Sequence, residues 1–194
     1  MLEKLILTQT YIEIGNLPLI NNDVLKKHCL YYEKQITRER GFDKTDTLSE
    51  DTDIPEHEEA NKVFSSILEE LKNKDNKKYS IREYWAHIHE KNHSTNLHHH
   101  AVVHDLKNAP IFSGVYYIAA PKDCGVIVFQ YPINQYEEKR HWIKPEPGLF
   151  ILFPSTLLHY VTRNESEEKR ISISFNIDND KIKSTIFKKQ KDIL

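Results

Sequence analysis

The spacing of apolar residues changes near residue 78. Before it, they recur every three or four positions; after it, to about Ile177, they alternate in short runs bounded by Pro, Gly and Asn. The first regime predicts two helices. One is capped by Asn22 or Asp23 and carries Val24, Leu25, Cys29 and Tyr32 to about Ile36. The other starts at Pro55, with Glu56, Glu58 and Glu59 in its first turn, and lines up Ala60, Val63, Phe64, Ile67, Leu68 and Leu71 as one stripe fit to cover a sheet. The second regime predicts strands near 79–90, 97–104, 111–120, 125–130, 140–144, 148–153, 158–163 and 169–177. Short strands in this number predict a mainly β fold with flanking helices: a jelly roll or cupin-like double sheet, with the N-terminal helices packed on its outer face.

A strand or strand pair over Leu5–Ile14 closes at the turn Gly15–Pro18, and the polar stretch 38–53 reads as a surface loop. One domain is expected, with 1–78 as a strand and helical support, 79–177 as the core and 178–194 as a tail without an assigned role.

Composition narrows the partners. Lys and Arg number 27 against 29 Asp and Glu, a net charge of −2, and no basic block follows a phosphate backbone, so no nucleic acid is expected. Cys29 and Cys124 lie in unlike contexts and form no CxxC, which argues against a disulfide scaffold and for packing residues in a reducing compartment. The start, Met1-Leu2-Glu3-Lys4-Leu5-Ile6-Leu7, lacks the pattern of a signal peptide, and no stretch is long enough to span a membrane; a cytoplasmic location is the expectation. Oligomeric state leaves no trace in the pattern.

Eleven histidines are many for this length, and they crowd between His87 and His104. On a strand, His98 and His100 project to one side and His99 to the other, so a third ligand from a distant strand, His159, would complete a metal site. Three adjacent histidines alone are as readily a solvated cluster; Arg170 changes the balance. Arg170, Ser172, Ser174 and Asn176 share one strand face while Ile171, Ile173 and Phe175 share the other. A guanidinium aimed inward needs an anion, because buried charge must be paired. The set reads as a non-haem iron site beside a carboxylate-binding arginine. On the strand of Trp85, His87 and His89 alternate with Ala86 and Ile88, and they face either a substrate or solvent.

Trp85, Asn96-x-His98-x-His100, Ser113-Gly114-Val115-Tyr116-Tyr117, Pro147-Gly148, Phe150-Ile151-Leu152-Phe153-Pro154-Ser155, His159 and Arg170-Ile171-Ser172-Ile173-Ser174-Phe175-Asn176 appear in an order that resembles the 2-oxoglutarate- and Fe(II)-dependent oxygenases of microbial and phage genomes. The resemblance covers roughly residues 79–177. It implies a double-stranded β-helix, Fe(II) held by His98 and His159, and Arg170 on the distal carboxylate of the cosubstrate 2-oxoglutarate. It also implies dioxygen as co-reactant and hydroxylation of a small-molecule or peptide substrate, with succinate and carbon dioxide released. Ser172 can add a hydrogen bond to the same carboxylate and Tyr117 a further contact, with Tyr116 on the opposite face as its alternative; Trp85 and His87 are candidates for the substrate side.

The sequence departs from the family at one ligand. A carboxylate two residues after the first histidine is expected. Here that position is His100; the alternatives are a triad of His98, His100 and His159, which strand pleat favours, or recruitment of Asp105 from the following loop. Two other readings stand beside the oxygenase: a cupin-like metal-binding module or isomerase without redox chemistry, and a structural or sugar-binding sheet, which would place no arginine inside.

Overall fold

The computed structural model describes residues 10–40, 51–101, 108–134 and 136–179. Strand β1 (Glu13–Asn16) precedes helix α1 (Asn22–Arg40), the short strand β2 (Asp51–Thr52) and helix α2 (Glu58–Asp75). Eight strands follow: β3 (Tyr79–His89), β4 (Thr95–His98), β5 (Phe112–Ala119), β6 (Ile127–Asn134), β7 (Glu137–Ile143), β8 (Leu149–Pro154), β9 (Leu158–Val161) and β10 (Arg170–Asn179). They form two antiparallel sheets, a larger one ordered β1-β8-β5-β10-β3-β2 and a smaller one ordered β4-β9-β6-β7. This is the double-stranded β-helix expected, and seven of its eight main strands match the alternating runs to within a few residues, whereas the run expected over 97–104 is strand only to His98.

Two cores result, one on each face of the larger sheet. Ile171, Ile173, Phe175 and Ile177 of β10 point outward with Ala86 and Ile88 of β3, against Leu25 and Cys29 of α1 and Ala60, Val63, Phe64, Ile67 and Leu71 of α2. Val115, Tyr117, Ile151 and Phe153 point inward and meet Ile127, Phe129 and Val161 of the smaller sheet. Gly114 lets β5 and β10 close, since a Cβ there would lie 2.5 Å from the Phe175 ring. Because β10 is covered on both faces, even its polar residues, Ser174 apart, are almost wholly buried.

Three details differ from expectation. Helix α1 continues to Arg40, and Asp51–Thr52 pairs with His87–Ala86 at the sheet edge, so both ends of the predicted loop are ordered; 41–50 lie outside the described residues. Pro55 is not in a first turn: α2 starts three residues later, capped by His57, whose Nδ1 accepts from the Glu59 amide at 3.1 Å. The cap of α1 is neither Asn22 nor Asp23 but Asn21, whose Oδ1 accepts from the Val24 amide at 3.3 Å. The tail beyond 179 and most of the predicted opening strand also fall outside the described residues.

Candidate metal centre

His98 and His159 are register partners on β4 and β9, with ring centroids 4.3 Å apart. His100 joins them from beyond the end of β4, its ring stacked on that of His159 at 5.2 Å and its amide held by the Ser155 carbonyl. One ring nitrogen from each of the three lies within 4.8 Å of the others, so this cluster can hold a metal ion. The expected geometric reason was only partly right. The pairing slips between Thr95 and His98 and the strand ends at His98, so a bend rather than the pleat returns His100 to the cluster. His159 lies within β9, 4% exposed against Phe153 and Phe129.

The tautomers suit a metal. Nδ1 of His98 lies 2.7 Å from the Asn96 carbonyl, and Nδ1 of His159 lies 2.9 Å from the Leu157 carbonyl. A carbonyl only accepts, so each Nδ1 carries the proton and each Nε2 keeps its lone pair. Burial and the neighbouring His98 push His159 down to about 3 and His100 down to about 4, so both are uncharged donors near neutrality.

Beside the cluster sits Arg170, 1% exposed. Its Nη2 is 2.8 Å from His89 Nδ1, while Nε and Nη1 are buried without a partner. Unsatisfied cationic donors in an interior are costly, and an anion arriving from outside the chain can satisfy them. They border a narrow cavity also lined by His98, His100, His159, Tyr117 and Ser172. Burial raises the Tyr117 hydroxyl to about 12, which keeps it a neutral donor. Tyr116 faces the other way and donates to Asn22 Oδ1 at 2.8 Å, which removes it as the alternative. Ser174 lines the same cavity, and Asn176 bridges Ser113 and Glu83.

A wider cleft of about 620 Å³ adjoins this cavity, sharing His87, Thr95, His98 and His100. Trp85 and His87 line it, as do Asp51, Asp53 and Glu83; among the described residues no lysine or arginine does. Asp51 bonds Nε2 of His87, and the Trp85 indole N–H lies 3.3 Å from the same nitrogen. One nitrogen cannot donate to a carboxylate and accept from an indole, so the stronger carboxylate contact frees the indole N–H toward the cleft. Sequence reading missed His89 as a partner of Arg170 and Asp51 as a wall of the cleft. Alternation along β3 carried a signal for His89, whereas nothing local marked Asp51. Asp105 lies outside the described residues.

Three imidazoles that can hold a metal and a buried, unpaired arginine share one cavity of a double-stranded β-helix, a donor set that suits a non-haem metal enzyme with an anionic cosubstrate. Residues 83–176 match the family model described as "Putative 2OG-Fe(II) oxygenase", a family that uses Fe(II) and 2-oxoglutarate. The fold agrees. The chain is similar to the viral collagen prolyl hydroxylase of Paramecium Bursaria Chlorella virus-1 in its 2OG complex, with a TM-score of 0.61 and 21% identity over 86% of this chain and 95% of that one. It is also similar to a Pseudomonas putida prolyl-4-hydroxylase, with a TM-score of 0.55 and 16% identity over 85% and 91% of the two chains. A third similar structure is a Trichoplax adhaerens prolyl hydroxylase bound to a hypoxia inducible factor peptide, with a TM-score of 0.58 and 17% identity over 90% and 86%. No curated protein matches significantly. No helix among the described residues is long and apolar enough to cross a membrane.

Proposed function

We propose that His98, His100 and His159 hold Fe(II), that Arg170 with Ser172 and Tyr117 binds the distal carboxylate of 2-oxoglutarate, and that the protein hydroxylates a substrate seated in the cleft of Trp85 and His87. The observation that carries this reading is the unpaired Arg170 guanidinium, buried in the same cavity as the three imidazoles. A structural sheet would not bury such a cation, and a metal-binding module without redox chemistry, which would use it for another carboxylate-bearing ligand, is separated from this reading by the test below.

When bound, Fe(II) and 2-oxoglutarate supply the oxidation: one oxygen atom of dioxygen enters the substrate, the other enters succinate, and carbon dioxide leaves. The chain's own contribution is placement. The carbonyls of Asn96 and Leu157 fix two imidazoles with their lone pairs on one point. Arg170 orients the oxoacid by charge and by paired N–H groups, and the aromatic wall of Phe153 and Phe129 keeps water from His159.

The cleft's three carboxylates, with no lysine or arginine beside them among the described residues, favour a neutral or positively charged substrate, either a small molecule or a peptide segment. A peptide is the occupant in the Trichoplax relative. A reducing, cytoplasmic setting suits both Fe(II) and the buried free thiols Cys29 and Cys124. Anaerobic addition of Fe(II) and 2-oxoglutarate tests the reading: a weak visible charge-transfer band is expected, and a folded protein that binds Fe(II) but never develops the band refutes it.

A further inference from the structure

Arg170 and His89 are register partners on β10 and β3, both almost completely buried. An arginine only donates, so His89 Nδ1, 2.8 Å from Arg170 Nη2, must present a lone pair. The ring proton is then on Nε2, which donates to Thr95 Oγ1 at 2.9 Å. Both edges of the imidazole are thereby assigned, and burial together with the adjacent guanidinium holds His89 far below its ordinary pKa, so it stays uncharged.

Nη2 has two hydrogens. One goes to His89; the other lies parallel either to the Nε hydrogen or to an Nη1 hydrogen, and neither Nε nor Nη1 has a partner. One two-pronged edge therefore stays open whichever hydrogen His89 takes. A carboxylate in place of His89 would make the same hydrogen bond, but it would also neutralise the cation that an incoming anion needs.

We infer that His89 is a positioning residue for the oxoacid: an uncharged acceptor that fixes the Arg170 guanidinium by one N–H, presents a remaining edge to the cavity, and leaves the positive charge unspent. This rests on Arg170 being the oxoacid's clamp. It makes His89 selective for charge as well as for shape, which a space-filling residue is not.

The test compares His89→Asn with His89→Asp in the full chain, since the two side chains have nearly one shape, either can accept from Arg170, and they differ in charge. Affinity for 2-oxoglutarate is measured by calorimetry on Mn(II)-loaded protein, Mn(II) affinity by electron paramagnetic resonance, and stability from the thermal midpoint of the metal-free form. His89→Asn should stay within about 5-fold of the unaltered protein in 2-oxoglutarate affinity, whereas His89→Asp should lose about 30-fold or more because the cation is already paired. Mn(II) affinity should not change, and His89→Asp should melt above His89→Asn, so stability and cosubstrate affinity move in opposite directions. Equal losses in both variants, or unaltered binding in His89→Asp, would overturn the inference. Should either fail to fold, His89→Gln against His89→Glu makes the same comparison. Mn(II) binding without 2-oxoglutarate binding in the unaltered protein would instead remove Arg170 as the clamp, and this role of His89 with it.

Discussion

His98 and His159 stand directly opposite each other on β4 and β9, and each is tied through Nδ1 to the carbonyl two residues before it. The repeated tether turns both Nε2 lone pairs to the same side, ahead of any ligand. Strand pairing positions the rings, and the backbone selects their tautomer.

Replacing either member of this pair should therefore abolish high-affinity metal binding without unfolding the sheet. Loss of a supporting partner typically costs about 10- to 100-fold in metal affinity, so loss of a ligand in His98→Ala or His159→Ala should exceed about 100-fold. Titration with Mn(II) or Fe(II) under argon measures it, and a variant that keeps its metal removes that residue from the ligand set.

His100 is the position where this chain parts from the carboxylate of its family's pattern. His100→Ala should weaken the metal as severely as His98→Ala, while Asp105→Ala should leave affinity within about 3-fold, because among the described residues it is His100 that joins His98 and His159 at the shared point. The reverse outcome would assign the third ligand to the loop. His100→Asp should keep the metal, since a carboxylate of similar reach replaces the imidazole, and should weaken 2-oxoglutarate by removing one unit of positive charge from the centre.

Much of this was legible in the sequence, for a physical reason. Residues of β10 alternate between the helix-covered face and the cavity with a period of two, so Arg170 and Ser172 could be placed inside from Ile171, Ile173 and Phe175 alone. Convergence of His98 with His159 depends on pairing between strands 61 residues apart in sequence, which alternation suggests but does not fix. Two features had no local signal. His100 enters the cluster through a bend, and Asp51 reaches the cleft because an isolated two-residue strand pairs with β3 after a stretch with no apolar pattern. His57 as a helix cap was equally hidden, since histidine is an unusual residue there.

Arg170 should be a liability to the fold and a requirement for function. Its desolvated cation lacks a carboxylate partner, so Arg170→Met should raise the thermal midpoint of the metal-free protein while eliminating 2-oxoglutarate binding. Arg170→Lys keeps the charge but loses the two-pronged edge, and it should fall between the two in affinity. Lower stability in Arg170→Met, with 2-oxoglutarate binding intact, would make the arginine a structural residue.

Acid should destabilise the metal-free protein from near neutrality downward. His89 and His159 have folded pKa values below their ordinary value of 6.5, through burial first and neighbouring positive charge second. Below pH 6.5 the unfolded chain therefore binds more protons than the folded one. Their contribution is fully present above 6.5 and is lost as pH falls toward about 3, where His159 itself titrates. Each contributes a slope of up to about 1.4 kcal/mol per pH unit in that window. Urea midpoints from pH 7 to 5 should fall steeply, less so in His89→Asn; a flat profile would mean that these histidines are charged in the folded state.

The cleft should choose its substrate by charge. Asp51 and Asp53 reach it from the β2 edge and Glu83 from β3, and among the described residues no lysine or arginine lines it. Field lines from three carboxylates in a concave wall act on an approaching ligand most strongly at low salt. Asp53 has no assigned part in metal or oxoacid binding, so Asp53→Lys should leave substrate-independent 2-oxoglutarate turnover unchanged. The same variant should raise KM for a cationic substrate several-fold and shift preference toward neutral or acidic ones. Succinate release measured across amines, amino acids and peptides, at two ionic strengths, distinguishes the cases. An unaltered preference in Asp53→Lys would show that the acidic wall plays no part in selection.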